Sequence, residues 1–92
     1  MGAVAKAIDN KLRARFTPVR LAVEDESSQH RGHSGYRDGG ESHFRVEIVS
    51  TAFEGHSRIA RQRLVYQALK EEFAAGLHAL ALTTLTPGED MN

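Results

Sequence analysis

Ninety-two residues, 40% apolar and 26% charged, describe one small soluble domain whose core must come from aliphatic side chains and four phenylalanines. Twelve basic and twelve acidic residues cancel, which excludes a histone-like or strongly acidic polyelectrolyte and makes any nucleic-acid contact a local one. The absence of cysteine excludes disulfides, a thiol nucleophile, a zinc ribbon and a self-contained iron–sulfur cluster.

Residues 3–16 place Val4, Ala5, Ile8, Leu12 and Phe16 on one arc of a helix, with Lys6, Asp9, Asn10 and Arg13 opposite. These early charges also leave no apolar core for a secretion signal. No apolar run nears the ~18 residues of a membrane span, so the expected setting is cytoplasmic, without a membrane partner. Thr17-Pro18 ends the helix, because the residue before proline avoids the helical region and Pro18 has no amide hydrogen. Val19, Leu21 and Val23 then alternate with Arg20, Ala22 and Glu24, the pattern of a strand with one buried face.

From residue 25 to about 42 serine, glycine, histidine and charge replace periodicity, so this stretch reads as a long loop between strands. Alternation resumes with Phe44, Val46 and Ile48 against His43, Arg45 and Glu47, and the two strands are expected to form an antiparallel hairpin. Residues 53–57 are the next turn, with Ser57 the N-cap of a helical region over 58–75. There Leu64 and Ala68, and Val65, Leu69 and Phe73, recur four apart. Arg58, Arg61 and Gln62 interrupt the apolar arc, predicting a short helix, a bend and then a longer one. Gly76 stops the helix. Leu77 to Leu85 reads as a third strand, with His78, Leu80 and Leu82 on one parity, and a tail over 86–92 closes the chain. The order predicts a single α+β domain over 1–92 with helices on one face of a three-stranded sheet.

Five histidines are the unusual feature, since neutral imidazole binds zinc, copper and iron. His30 and His33 sit in the long loop, His56 in a turn and His43 on a solvent-facing strand parity; each has solvent exposure as its ordinary reading. His78 stands at the edge of the core. Two histidines make an incomplete zinc site, but two is the number that replaces two cysteines on one iron of a Rieske-type 2Fe-2S centre. A chain with two convergent imidazoles and no thiol would form half of a cluster shared with a thiol-bearing partner. Catalysis finds no support: no Gly-x-Ser-x-Gly elbow, phosphate loop, His-Glu-x-x-His or dinucleotide fingerprint is present. Arg58, Arg61 and Arg63 at a helix start are either a solvated face or a small phosphate-contacting patch.

Asp25-Glu26-Ser27 with His30, Glu41-Ser42-His43-Phe44-Arg45-Val46, Phe53-Glu54-Gly55-His56-Ser57-Arg58, Arg61-Gln62-Arg63-Leu64-Val65-Tyr66 and Leu77-His78-Ala79-Leu80-Ala81-Leu82 together resemble the BolA family over nearly the whole chain. The resemblance implies a class II KH-like fold, helix-strand-strand-helix-helix-strand, with a mixed sheet, and a protein that is not an enzyme. It further implies association with a monothiol glutaredoxin and a bridging 2Fe-2S cluster completed by glutathione, with His78 the constant ligand and His30 the loop ligand. His33 is a rival for the second position. The chain alone is expected to be a monomer or weak dimer. The family has also been described as containing DNA-binding transcriptional regulators, which implies a helix-turn-helix-like region at Arg58, Arg61 and Arg63 and duplex DNA as an alternative partner. Two differences separate this chain from that pattern: Gln62 stands where the usual pattern has histidine, and Gly55-His56-Ser57-Arg58 is not the Gly-x-x-Gly clamp of KH domains.

Overall fold

The computed structural model describes residues 2–26 and 43–91. Its first element, α1 (Ala3–Phe16), buries Ala5, Ile8, Leu12 and Phe16, the arc expected from their spacing. It ends at Thr17, whose φ of 44° is left-handed and whose amide donates to the Arg13 carbonyl at 3.0 Å. This is a costly conformation for a β-branched residue. Pro18 follows immediately and prevents the helix from continuing.

β1 (Arg20–Asp25) pairs antiparallel with β2 (His43–Val49), so the expected hairpin is present, with Leu21 opposite Ile48 and Val23 opposite Val46. β2 is the central strand, and β3 (Ala79–Leu85) pairs with it in parallel, Phe44 opposite Leu80 and Val46 opposite Leu82. The sheet is therefore mixed. Leu21, Val23, Phe44, Val46, Ile48, Leu80 and Leu82 share one face and pack with Ile8, Leu12, Phe16, Val65 and Leu69 of the helices. Charged and small residues such as Arg20, Glu24, Arg45 and Ala81 alternate onto the other face and are exposed.

A single 3-10 turn (Thr51–Phe53) leads out of β2. Its entry is held by the buried Ser50 hydroxyl, which donates to the Phe16 carbonyl at 2.6 Å and accepts from the Ala52 amide at 3.0 Å. The turn drives Phe53 fully into the core, with its ring centre 5.2 Å from that of Phe16. Gly55, at φ 80°, reverses the chain. The Ser57 hydroxyl then accepts from the Ala60 amide at 3.1 Å, the cap expected for α2 (Arg58–Ala68).

The break in the helical region differs from the expected order. An eleven-residue α2 is followed by the five-residue α3 (Lys70–Ala74), so the long helix comes first. Arg58, Arg61 and Gln62 interrupt the apolar arc without bending the helix: Arg58 faces solvent, while Arg61 and Gln62 are half-buried. The break falls at the buried Leu69, with φ −103° and ψ 16°, whose amide is shared between the Val65 and Tyr66 carbonyls.

The end of α3 decides where the next strand starts. Gly76, at φ 124°, donates to the Phe73 carbonyl, and Leu77 donates to the Glu72 carbonyl at 3.0 Å, which together make a Schellman motif. In this motif the residue after the glycine packs back on the helix, and Leu77 is accordingly buried. The strand therefore begins two residues later than expected, at Ala79, and the short α4 (Pro87–Asp90) closes the described chain.

Candidate functional site

The Schellman ending also positions His78. Leu77 turns into the core and Ala79 begins the ladder, so the residue between them is turned out of the alternation, and His78 is exposed and not at the core edge. The parallel register puts Ala79 opposite His43, bringing the two histidines side by side across the sheet. Their ring centres are 5.1 Å apart with a 54° tilt.

His43 departs furthest from expectation. Its parity is that of Arg45 and Glu47, the helix-free face, yet it is only 5% exposed. Parity determines the face and says nothing of what covers it; here the ring of His78, from a strand 35 residues away in sequence, lies against it. The backbone of His43 also ties off β1, its carbonyl accepting from the Glu26 amide at 2.8 Å. Beside the pair lies a cleft of about 370 Å³ lined by Glu26, His43, Phe44, Arg45 and the start of β3. Arg45 donates to the Glu26 carboxylate at 3.0 Å, so that carboxylate is already engaged.

His30 and His33 lie outside the described residues. The residues that bound their segment are described: Glu26 and His43 are hydrogen-bonded neighbours at the same end of the sheet as His78. Among the described residues no three histidine, cysteine, aspartate or glutamate side chains group as a metal site.

Arg58 and Arg61 occupy the opposite end of β3. His56, Arg58, Arg61, Thr84 and Glu89 line a second cleft, of about 410 Å³. Thr84 is six residues beyond His78, roughly 20 Å at the rise of an extended strand. The two candidate surfaces can thus be altered independently. Arg58 and Arg63 are exposed. Arg61 is not: its side chain is 12% exposed and donates to the His56 carbonyl at 2.9 Å, the Thr84 carbonyl at 3.3 Å and the Glu89 carboxylate at 2.7 Å. It fastens the start of α2 to the end of β3 and to α4.

Glu89 completes this fastening. The Thr86 hydroxyl accepts from the Glu89 amide while the Glu89 carboxylate accepts from the Thr86 amide at 2.8 Å, forming a capping box. Thr86-Pro87-Gly88-Glu89 carries that signature in sequence, although the segment was expected only as a tail. The Arg61 guanidinium, helped by the Thr86 amide, pulls the Glu89 carboxyl down to about 2. A depressed folded value means that the contact contributes above the usual glutamate value of 4.5 and is lost as pH falls from there toward about 2. Carbon-13 titration of the Glu89 carboxyl should therefore give a midpoint well below that of an ordinary glutamate, moving upward in Arg61→Ala. A midpoint near 4.5 in the unaltered chain would mean that the fastening is not formed in solution. Asp90 is also held below the usual carboxylate range, chiefly because Arg20 donates to it.

No helix among the described residues is long and apolar enough to cross a membrane. The family model described as BolA-like protein matches residues 12–89. An uncharacterized protein from a Sinorhizobium species is 53% identical over 87 residues, covering 94% of both chains. The protein named DNA-binding transcriptional regulator BolA from Escherichia coli strain K12 is 45% identical over 83 residues, 90% of this chain and 75% of that one. The solved BolA domain of SufE1 from Arabidopsis thaliana superposes with a TM-score of 0.88 at 45% identity, covering 97% of this chain and 98% of that domain. Among other curated relatives from Arabidopsis thaliana, the chain spans 25% of SufE-like protein 1 and 54% of BOLA1.

Proposed function

Because the chain belongs to the BolA-like protein family, we propose that it is a non-enzymatic adaptor or regulator that binds a monothiol glutaredoxin and shares a 2Fe-2S cluster with it. His78 and one histidine of the 27–42 segment, His30 or His33, act as this chain's ligands. The reading is supported by one observation above all: His78 is exposed at the same end of the sheet where that segment departs at Glu26 and returns at His43. A donor set of imidazoles without any thiol fits one iron of such a cluster, with the thiolates of the other iron supplied by the partner and its glutathione. When bound, the cluster supplies one-electron redox chemistry and an iron centre that can be passed on. This chain's part is to present His78, exposed to solvent, immediately before β3. The proposed setting is cytoplasmic.

The test is direct. Mixing the chain with a cluster-loaded monothiol glutaredoxin should alter the visible absorption and circular dichroism, saturating at one chain per glutaredoxin. Spectra unchanged at several-fold excess would reject the reading.

Duplex DNA is the second reading, favoured by the name of the Escherichia coli relative, by the exposed Arg58 in the arginine cleft and by the exposed Arg63 on the same helix. Arg61 serves the fold, so Arg58→Gln with Arg63→Gln is the appropriate test. If both arginines contact phosphates, the log–log salt slope of binding should shrink by about 2. No binding at low salt would dispose of this reading and leave the first untouched, since its surface lies at the other end of β3.

A further inference from the structure

His43 has no part in the cluster reading, yet it is the histidine that the fold places beside His78. We propose that His43 and His78 form a two-imidazole site for one divalent transition-metal ion in the chain on its own, without glutaredoxin and without the 27–42 segment. Two imidazoles bound at about 2.0–2.1 Å to a single tetrahedral ion have ring centres roughly 5 Å apart, and these two are 5.1 Å apart. The asymmetry of the pair suits capture. His43 is buried and fixed on the central strand, whereas His78 is exposed just before β3, in a segment fastened by the Schellman motif. One ring is thus held in place before the ion arrives, and the other is reachable from solvent.

The pair also defines the kind of ion. Imidazole nitrogen selects cobalt, nickel, copper and zinc over magnesium and calcium, which require oxygen ligands. The Glu26 carboxylate is engaged by Arg45, and no third ligand-type side chain groups with the pair among the described residues. Water completes the coordination, so binding is reversible and weaker than at a structural zinc site. An ion held there occupies His78 and therefore competes with cluster sharing. The site rests on the geometry of the isolated chain and stands or falls separately from the glutaredoxin reading.

Cobalt(II) alone is the probe, added to the full chain without glutaredoxin and followed by visible absorption and by paramagnetic effects on the histidine ring protons. The expected result is one equivalent bound, with the strongest effects on His43 and His78. Binding should weaken at least tenfold in His78→Gln and remain unchanged when His30 and His33 are both replaced by glutamine. His43→Gln should weaken it similarly; because His43 is buried, the paramagnetic map on the unaltered chain supplies the evidence if that variant does not fold. Absence of binding at millimolar cobalt, a map centred on another histidine, or loss of binding in the loop variant would each overturn the site.

Discussion

Replacing His78 with alanine should abolish the spectral change produced by cluster-loaded glutaredoxin while leaving the chain folded. The size of the effect follows from the ligand count. One iron with two protein imidazoles loses half of what this chain supplies, and a water molecule cannot replace a neutral nitrogen donor at comparable affinity. The fold survives because His78 is exposed and its backbone is fixed by the Schellman bonds of Gly76 and Leu77, not by its ring. Its ring does pack against the buried His43, so the replacement should cost about 1 kcal/mol, an ordinary value for a single replacement. Far-ultraviolet circular dichroism should overlay that of the unaltered chain, with the urea midpoint only slightly lower. A His78→Ala variant that still shifts the glutaredoxin spectrum would remove His78 from the site.

The largest effect on stability is expected at Phe53. Its ring is fully buried, tilted against Phe16 and delivered by a 3-10 turn anchored through the Ser50 hydroxyl. Phe53→Ala should cost about 3–5 kcal/mol, combining lost burial with a cavity that the turn cannot collapse. A domain of this length has a total of only about 5–14 kcal/mol. The variant should therefore unfold at much lower urea. A loss below about 1.5 kcal/mol would mean that the turn does not seat the ring. The result also bears on the DNA reading. Phe53 begins the turn that leads into the helix-turn-helix-like region at Arg58, yet its side chain faces the core, so weakened DNA binding in Phe53 variants would report unfolding and not a lost contact.

Local features of the fold were legible wherever one residue type has one physical use. The four-residue recurrence of Ile8, Leu12 and Phe16 sets the buried face of α1, the alternation from Phe44 to Ile48 sets that of β2, and the Ser57 hydroxyl caps α2. The kink lies elsewhere than expected because polar residues in an apolar arc read the same whether they mark a bend or, as Arg61 does, a polar fastening to neighbouring elements. Only the packing of Leu69 distinguishes the two.

The candidate site was legible in its parts but not in its arrangement. His78 stood out by its position before an alternating run. His43 precedes a run of the same kind, and that shared position was the signal that could have paired them; it becomes a contact only through the parallel register, which joins strands more than thirty residues apart. Arg61 illustrates the same limit. Its charge is visible in sequence, but its carbonyl and carboxylate partners come from β3 and α4, so a cation that reads as available is in fact committed.

Whether imidazole nitrogens of this chain bind the shared cluster can be read from hyperfine spectroscopy. The chain is labelled with nitrogen-15 in its histidine rings, assembled with cluster-loaded glutaredoxin and reduced by one electron. Strong couplings from two imidazole nitrogens are expected, and both should disappear in His78→Ala, which no longer shares the cluster. A reduced cluster in the complex with no coupling to any labelled ring would contradict it.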